Sequence, residues 1–295
     1  MNDVRLDVLV LAGQMTAEHD NPDRSFRLHH QLLTTVLEST GRFRVRVTEE
    51  VHGLSAEMLD RYDVVIIVHE GREHYHRIPD GLGATTDASL LELVHDKGRG
   101  IVWFHSSFVQ EPEWGWPSEY AEMRGAALQT ARSLRKVPAQ ESVVQTVETR
   151  HAITEGLPGS WSVTNDDLLV PVELLPGAQA LVTVHDDVAV YPQEGWPPAH
   201  VPIDVPAGGV GQLPGIGEQQ PLIWINEWGA GRSFTCTLGH DIDTFRRMPF
   251  LPLLVRGTEW AATGEVTLPL PDRTGAHRFV PWPYYSKPTA EVASR

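Results

Sequence analysis

The sequence has a single cysteine, Cys236, set inside an apolar run. An intrachain disulfide is therefore excluded, and a reducing compartment is expected. Basic charge is also scarce: 24 Lys and Arg stand against 39 Asp and Glu, a net charge of −15. Nucleic acid is not an expected partner, because phosphate binding needs clustered Lys and Arg. Apolar runs are short, and none reaches the ~20 residues that span a bilayer. The start, MNDVRLDVLVLAG, carries charges where a secretory segment is apolar. A cytoplasmic protein with no membrane partner is expected. Internal repeats are missing too.

What is present is an alternating pattern. Asp7 to Gly13 reads as a buried first strand. Pro22 then opens a helix in which Phe26, Leu33 and Leu37 follow helical spacing. Phe43 to Val47 alternates as a strand nearer a sheet edge. Ser55 caps a short helix, Ala56 to Tyr62. Val64 to Val68 is the strongest buried strand and stops at His69. Asp87 is expected to cap a helix over Ala88 to Lys97, and Ile101 to Phe104 is a strand ending at His105-Ser106-Ser107. Strand and helix in alternation mean a parallel sheet with helices on both faces. The ends of its strands share one edge, where sites sit in α/β proteins. His19, His69 and His105 follow the first, third and fourth strands.

The second half is less regular. A short helix is expected near Ser118, and strands at Ser142 to Glu148, Trp161 to Val170 and Ala180 to Val184. Tyr191 to Gln220 is rich in Pro and Gly and reads as a long loop insertion. A hairpin follows, with strands Leu222 to Glu227 and Ser233 to Leu238, ending in Gly239-His240-Asp241. Phe250 to Ala262 is a closing helix. Residues 266–295 form a Pro-rich arm outside a domain of residues 1–265.

Four blocks in this order resemble the ThuA-like (trehalose utilisation) family: GIVWFHS (100–106), HAITEGLP (151–158), the hairpin from Trp224 through LGHD at 238–241, and RGTEWA (256–261). The resemblance covers roughly residues 7–264. It implies a flavodoxin-like, class I glutamine amidotransferase-like three-layer sandwich with a mostly parallel sheet. It also implies a role in sugar metabolism and suggests a His-lined metal site. Two positions depart from the family pattern. Asn165-Asp166-Asp167 stands where an Asp-Glu pair is usual, and Ala152 replaces Pro. The first keeps carboxylate chemistry but shortens one arm.

Three chemistries are open to such a site. Metal binding needs His and carboxylate ligands converging, with one position left for substrate. His19, His105 and His240 are the candidate ligands for zinc or manganese, and His74 and His76 are in reach by sequence. A serine-type hydrolase would use Ser106 with His240 as base and Asp241 or Asp167 as orienter, although no Gly-x-Ser-x-Gly surrounds it. A hydrogen-bonded polar rim would bond His240 to backbone and use Asp241 as a helix cap. Cys236, mid-strand, is not expected to be a nucleophile. Trp114 and Trp116 are candidates for stacking on a sugar ring, with His69, Asp166 and Asp167 as further contacts. The expected partner is a small-molecule carbohydrate. Isomerisation, epimerisation or hydrolysis of a keto-sugar suits these groups, non-catalytic sugar binding is the alternative, and a homo-oligomer is compatible with either.

Overall fold

The computed structural model describes residues 5–12, 26–69, 72–73, 78–79, 81–109, 115–128, 130, 133–138, 141–147, 151–192, 194–197 and 203–270. Its frame is one nine-stranded sheet. In chain order the strands are β1 (Leu6–Leu11), β2 (Phe43–Thr48), β3 (Val64–Ile67), β4 (Gly100–Phe104), β5 (Glu141–Thr146), β6 (Ser160–Thr164), β7 (Gln179–His185), β8 (Gln219–Trp228) and β9 (Gly231–Cys236). In space they run β2-β1-β3-β4-β9-β8-β7-β5-β6. The first five are parallel, in the flavodoxin-like order. The last four continue the sheet antiparallel. The α/β sandwich expected from the sequence is therefore present, extended by a long antiparallel wing.

Period-two alternation divides the apolar residues between the two faces. Val8, Val10, Ile66 and Val102 pack on one face with Leu33, Val36 and Leu37 of α1 (Phe26–Ser39) and Leu251, Leu254 and Val255 of α6 (Phe250–Thr263). Leu9, Leu11, Val65, Ile67, Ile101 and Trp103 pack on the other. There they meet Leu90, Leu93 and Val94 of α3 (Ala84–His95), Leu59 of α2 (Ala56–Leu59), and Tyr120 and Met123 of α4 (Glu119–Arg124). Among the described residues no helix is long and apolar enough to cross a membrane.

Local signals fixed some ends and misplaced others. Ser55 caps α2 as expected, its hydroxyl accepting from the Met58 N–H at 3.3 Å. Asp87 does not cap α3. The helix begins earlier, after Gly83, and Asp87 lies within it, buried, accepting from the Tyr120 hydroxyl at 2.7 Å. Ser118 precedes α4, but its side chain makes no cap bond. The start of the first helix at Pro22, parts of the 191–220 insertion and the arm beyond 270 lie outside the described residues.

One glycine controls how closely α6 approaches β4. A Cβ on Gly100 would lie 2.4 Å from the Ala261 carbonyl oxygen and 2.5 Å from its carbon. Neither atom is a flexible side-chain end, so helix and strand must separate. Gly100→Ala is expected to cost about 2 kcal/mol through overpacking. A urea-denaturation midpoint equal to the wild-type value would contradict this contact.

Candidate functional site

Two adjacent parallel strands build the centre of the site. β4 and β9 pair in register to their last residues, Phe104 beside Cys236. The residues after them, at the carboxyl edge, are therefore forced together. His105 opens a short 3-10 turn, His105–Phe108, with φ of +50°. A non-glycine residue in this region carries about 1–3 kcal/mol of strain, which the surrounding packing must hold. After β9, Gly239 takes φ +102°, and a Cβ there would meet the Phe104 ring at 2.6 Å. Only glycine lets the chain turn over Phe104 and present His240.

The hydrogen bonds fix the tautomers of both rings. His105 Nδ1 lies 2.9 Å from the Thr237 carbonyl oxygen, which only accepts. That nitrogen must carry the proton, which leaves Nε2 of a neutral His105 as an acceptor. His240 Nδ1 lies 2.8 Å from it and therefore donates. The His240 Nε2 lone pair is then turned toward Asp167 Oδ2, 3.4 Å away. A lone pair facing a carboxylate is an arrangement that a proton or a cation between them stabilises. His105, His240 and Asp167 each offer a ligand atom, all within 4.8 Å of one another, and they form the one such His/Asp group among the described residues.

Asp166 holds this assembly in place. It follows Asn165, itself left-handed at φ +55°, in the turn after β6. Its carboxylate accepts from His240 N at 2.8 Å, Gly239 N at 2.9 Å, Thr244 Oγ1 at 2.7 Å and Asp167 N at 2.9 Å. Burial pushes its pKa up, against the opposing pull of the Gly239, Thr244 and His240 donors. Asp166 thus ties the turn after β6 to the turn after β9, while Asp167 beside it reaches the cluster. Lys136 forms an ion pair with Asp167 from a largely exposed position.

The other candidates fall in several places. Asp241 caps α5 (Ile242–Phe245), accepting from Asp243 N at 2.9 Å. His69 is buried, with its ring 6.3 Å from that of Trp116, which is itself only 9% exposed and packed on Tyr120. Trp116 thus presents little free face to a ligand. Ser106 lies in the 3-10 turn, and its side chain is outside the described residues, as are His19, His74, His76 and Trp114. Cys236 is fully buried, and burial raises its thiol pKa far above neutrality. It is not a nucleophile.

Sequence reasoning missed His29. From α1 its Nε2 donates to the His240 carbonyl oxygen at 2.9 Å, and its ring lies 6.1 Å from that of His105. The signal was available: His29 is one turn before Leu33 on the apolar face of α1, where a polar ring needs a partner. Lys136 and Thr244 had no such signal. A cavity of about 950 Å3 opens elsewhere, walled by Arg135, Pro171, Glu173, Leu213 and Gln220, and the His cluster does not line it.

The same fold occurs among solved structures. A ThuA-like protein from Parabacteroides merdae aligns with a TM-score of 0.65 at 21% identity, over 91% of this chain and 94% of that one. A ThuA-like protein from Bacteroides uniformis gives 0.60 at 15% identity, over 90% and 95%. A cytoplasmic protein from Salmonella typhimurium gives 0.56 at 12% identity, over 87% and 98%. At these identities the likeness is one of fold. No curated protein matches the chain. The family model for ThuA, trehalose utilisation, matches residues 7–261, and the chain belongs to that family.

Proposed function

We propose that this chain is a cytoplasmic, carbohydrate-active enzyme that isomerises, epimerises or hydrolyses a sugar or keto-sugar at the His105–His240–Asp167 cluster. The observation that carries the reading is the directed chain from the Thr237 carbonyl through His105 to His240. It fixes one imidazole with a basic nitrogen facing a carboxylate, at the carboxyl edge of a parallel sheet. His240 takes a proton from a sugar hydroxyl or from the carbon beside a carbonyl. Asp167 stabilises the resulting imidazolium. His105 keeps the ring in the competent tautomer, and Asp166 holds its backbone. Membership of a family described as trehalose utilisation points to a carbohydrate partner.

The same three side chains suit a divalent cation, zinc or manganese. Two imidazoles and one carboxylate, with an open position, are a donor set of that class. His240 Nε2 would supply a nitrogen and Asp167 an oxygen, and His105 Nε2 would join them only by giving up its hydrogen bond from His240 Nδ1. When bound, such a cation would polarise a sugar carbonyl or vicinal diol. A cation on His240 Nε2 would take the lone pair that the base role needs, so elemental analysis beside sugar turnover tells the two roles apart. The expected result is one equivalent of zinc or manganese, lost in His240→Ala, with kcat/KM falling about 10²–10⁴-fold. Metal-free protein whose sugar binding survives His240→Ala, without turnover in either form, would instead mark a non-catalytic sugar-binding protein.

A further inference from the structure

Arg124, the last residue of α4, is fully buried. Two side chains of β8 hold the end of this helix against the sheet. Trp224 Nε1 donates to the Arg124 carbonyl at 2.8 Å, and Asn226 Nδ2 donates to the carbonyls of Glu122 and Met123 at 2.8 and 3.1 Å. Gly125 then turns the chain away in a left-handed conformation. The Arg124 backbone is therefore fixed over the sheet, and its guanidinium cannot swing out to water. Its central carbon lies 5.8 Å from the centroid of the Trp103 ring.

Among the described residues nothing answers this charge. Nε, Nη1 and Nη2 of Arg124 have no hydrogen-bond partner among the described residues. The same is true of Trp103 Nε1 and of the Ser233 and Thr235 hydroxyls. Strand register places these groups on one face: Thr235 pairs with Trp103 and Ser233 with Ile101 across β9 and β4, on the side covered by α3 and α4. The face thus gathers a guanidinium, an indole N–H and two hydroxyls, every one able to donate, while the buried carboxylate of α3, Asp87, is taken by the Tyr120 hydroxyl. Stacking on Trp103 offsets only a small part of the cost of burying an unpaired ion. Burial lowers the Arg124 pKa to about 9, with no opposing charge to raise it, so the group is still protonated at pH 7.

The geometry points to a buried small-anion site at Arg124, beneath α4, that takes a halide-sized monovalent anion such as chloride. Water can accept from these donors but cannot neutralise the charge. An organic carboxylate or phosphate is too large for a group with no exposed surface. The site is separate from the His cluster and is independent of the proposed reaction.

Two measurements on the full chain test it. Bromide-soaked crystals should show an anomalous peak at the Arg124 guanidinium. Replacing chloride by gluconate at constant ionic strength should lower Tm by about 2 °C or more. In Arg124→Met the halide dependence should vanish. If that variant does not fold, Arg124→Lys, which keeps the charge but loses the fork, should retain a weaker dependence. Ordered water without a bromide peak, or a wild-type Tm equal in the two salts, would overturn the site.

Discussion

Asp166→Ala is expected to lose about 3 kcal/mol of unfolding free energy in urea denaturation and to release His240 from its position. Four donors point at this one carboxylate. Removing it leaves the buried N–H groups of Gly239 and His240 without an acceptor, at about 1–3 kcal/mol each. Relief from burying a carboxylate offsets part of that. Asp166→Asn should lose less, since one oxygen still accepts, but its NH2 group must face a donor. The pH dependence has a defined sign. Burial raises the folded pKa of Asp166 above its ordinary value. The folded state then holds this proton more tightly than the unfolded one, so ionisation costs stability as pH rises from about 4 toward the folded pKa. Asp166→Asn should lack that component. An Asp166→Ala protein of wild-type stability, with His240 unmoved, would mean the turn is held by other contacts.

The parallel half of the fold was legible because each of its buried strands is a continuous apolar run with a break at its end. Val64 to Ile67 and Gly100 to Phe104 are fully buried over their whole length. Once parallel order is granted, the meeting of His105 with the residues after Cys236 follows from adjacency alone. The antiparallel wing was not legible as a topology. β7 lies between β8 and β5, and no local pattern selects that neighbour. The sequence marks Asp166 and Asp167 as carboxylates but does not separate the structural clamp from the group that faces His240. That division depends on hydrogen bonds joining residues 74 positions apart. Asp87 misleads for a related reason. As a turn-adjacent carboxylate it looks like a cap, yet Gly83 starts the helix and Tyr120, 33 residues on, satisfies it inside.

The antiparallel wing carries its own buried ionic network, and breaking it should have the largest effect in the molecule. Arg135 and Asp186 form an ion pair with side chains 3% and 0% exposed. Tyr191 completes it: Arg135 Nε donates to its hydroxyl at 2.9 Å, and the hydroxyl donates to Asp186 Oδ1 at 2.8 Å. The Asp186 backbone pairs with the far end of the Pro- and Gly-rich insertion, through Glu218 O at 3.0 Å and from Gly217 N at 2.8 Å. The network therefore anchors the insertion where it leaves and rejoins the sheet, and Arg135 also walls the 950 Å3 cavity. Asp186→Ala strands a guanidinium in the interior and should cost about 3–5 kcal/mol. Removing both charges is a different experiment. In Arg135→Met/Asp186→Leu no ion remains to be desolvated, and most of the loss should return. The two single variants and the double variant form one thermodynamic cycle, read by urea denaturation. Asp186→Ala costing under about 1 kcal/mol would mean that Arg135 reaches water once the carboxylate is gone. A double variant no more stable than Asp186→Ala would mean that the pair supplies shape to the insertion beyond cancelling its own charge.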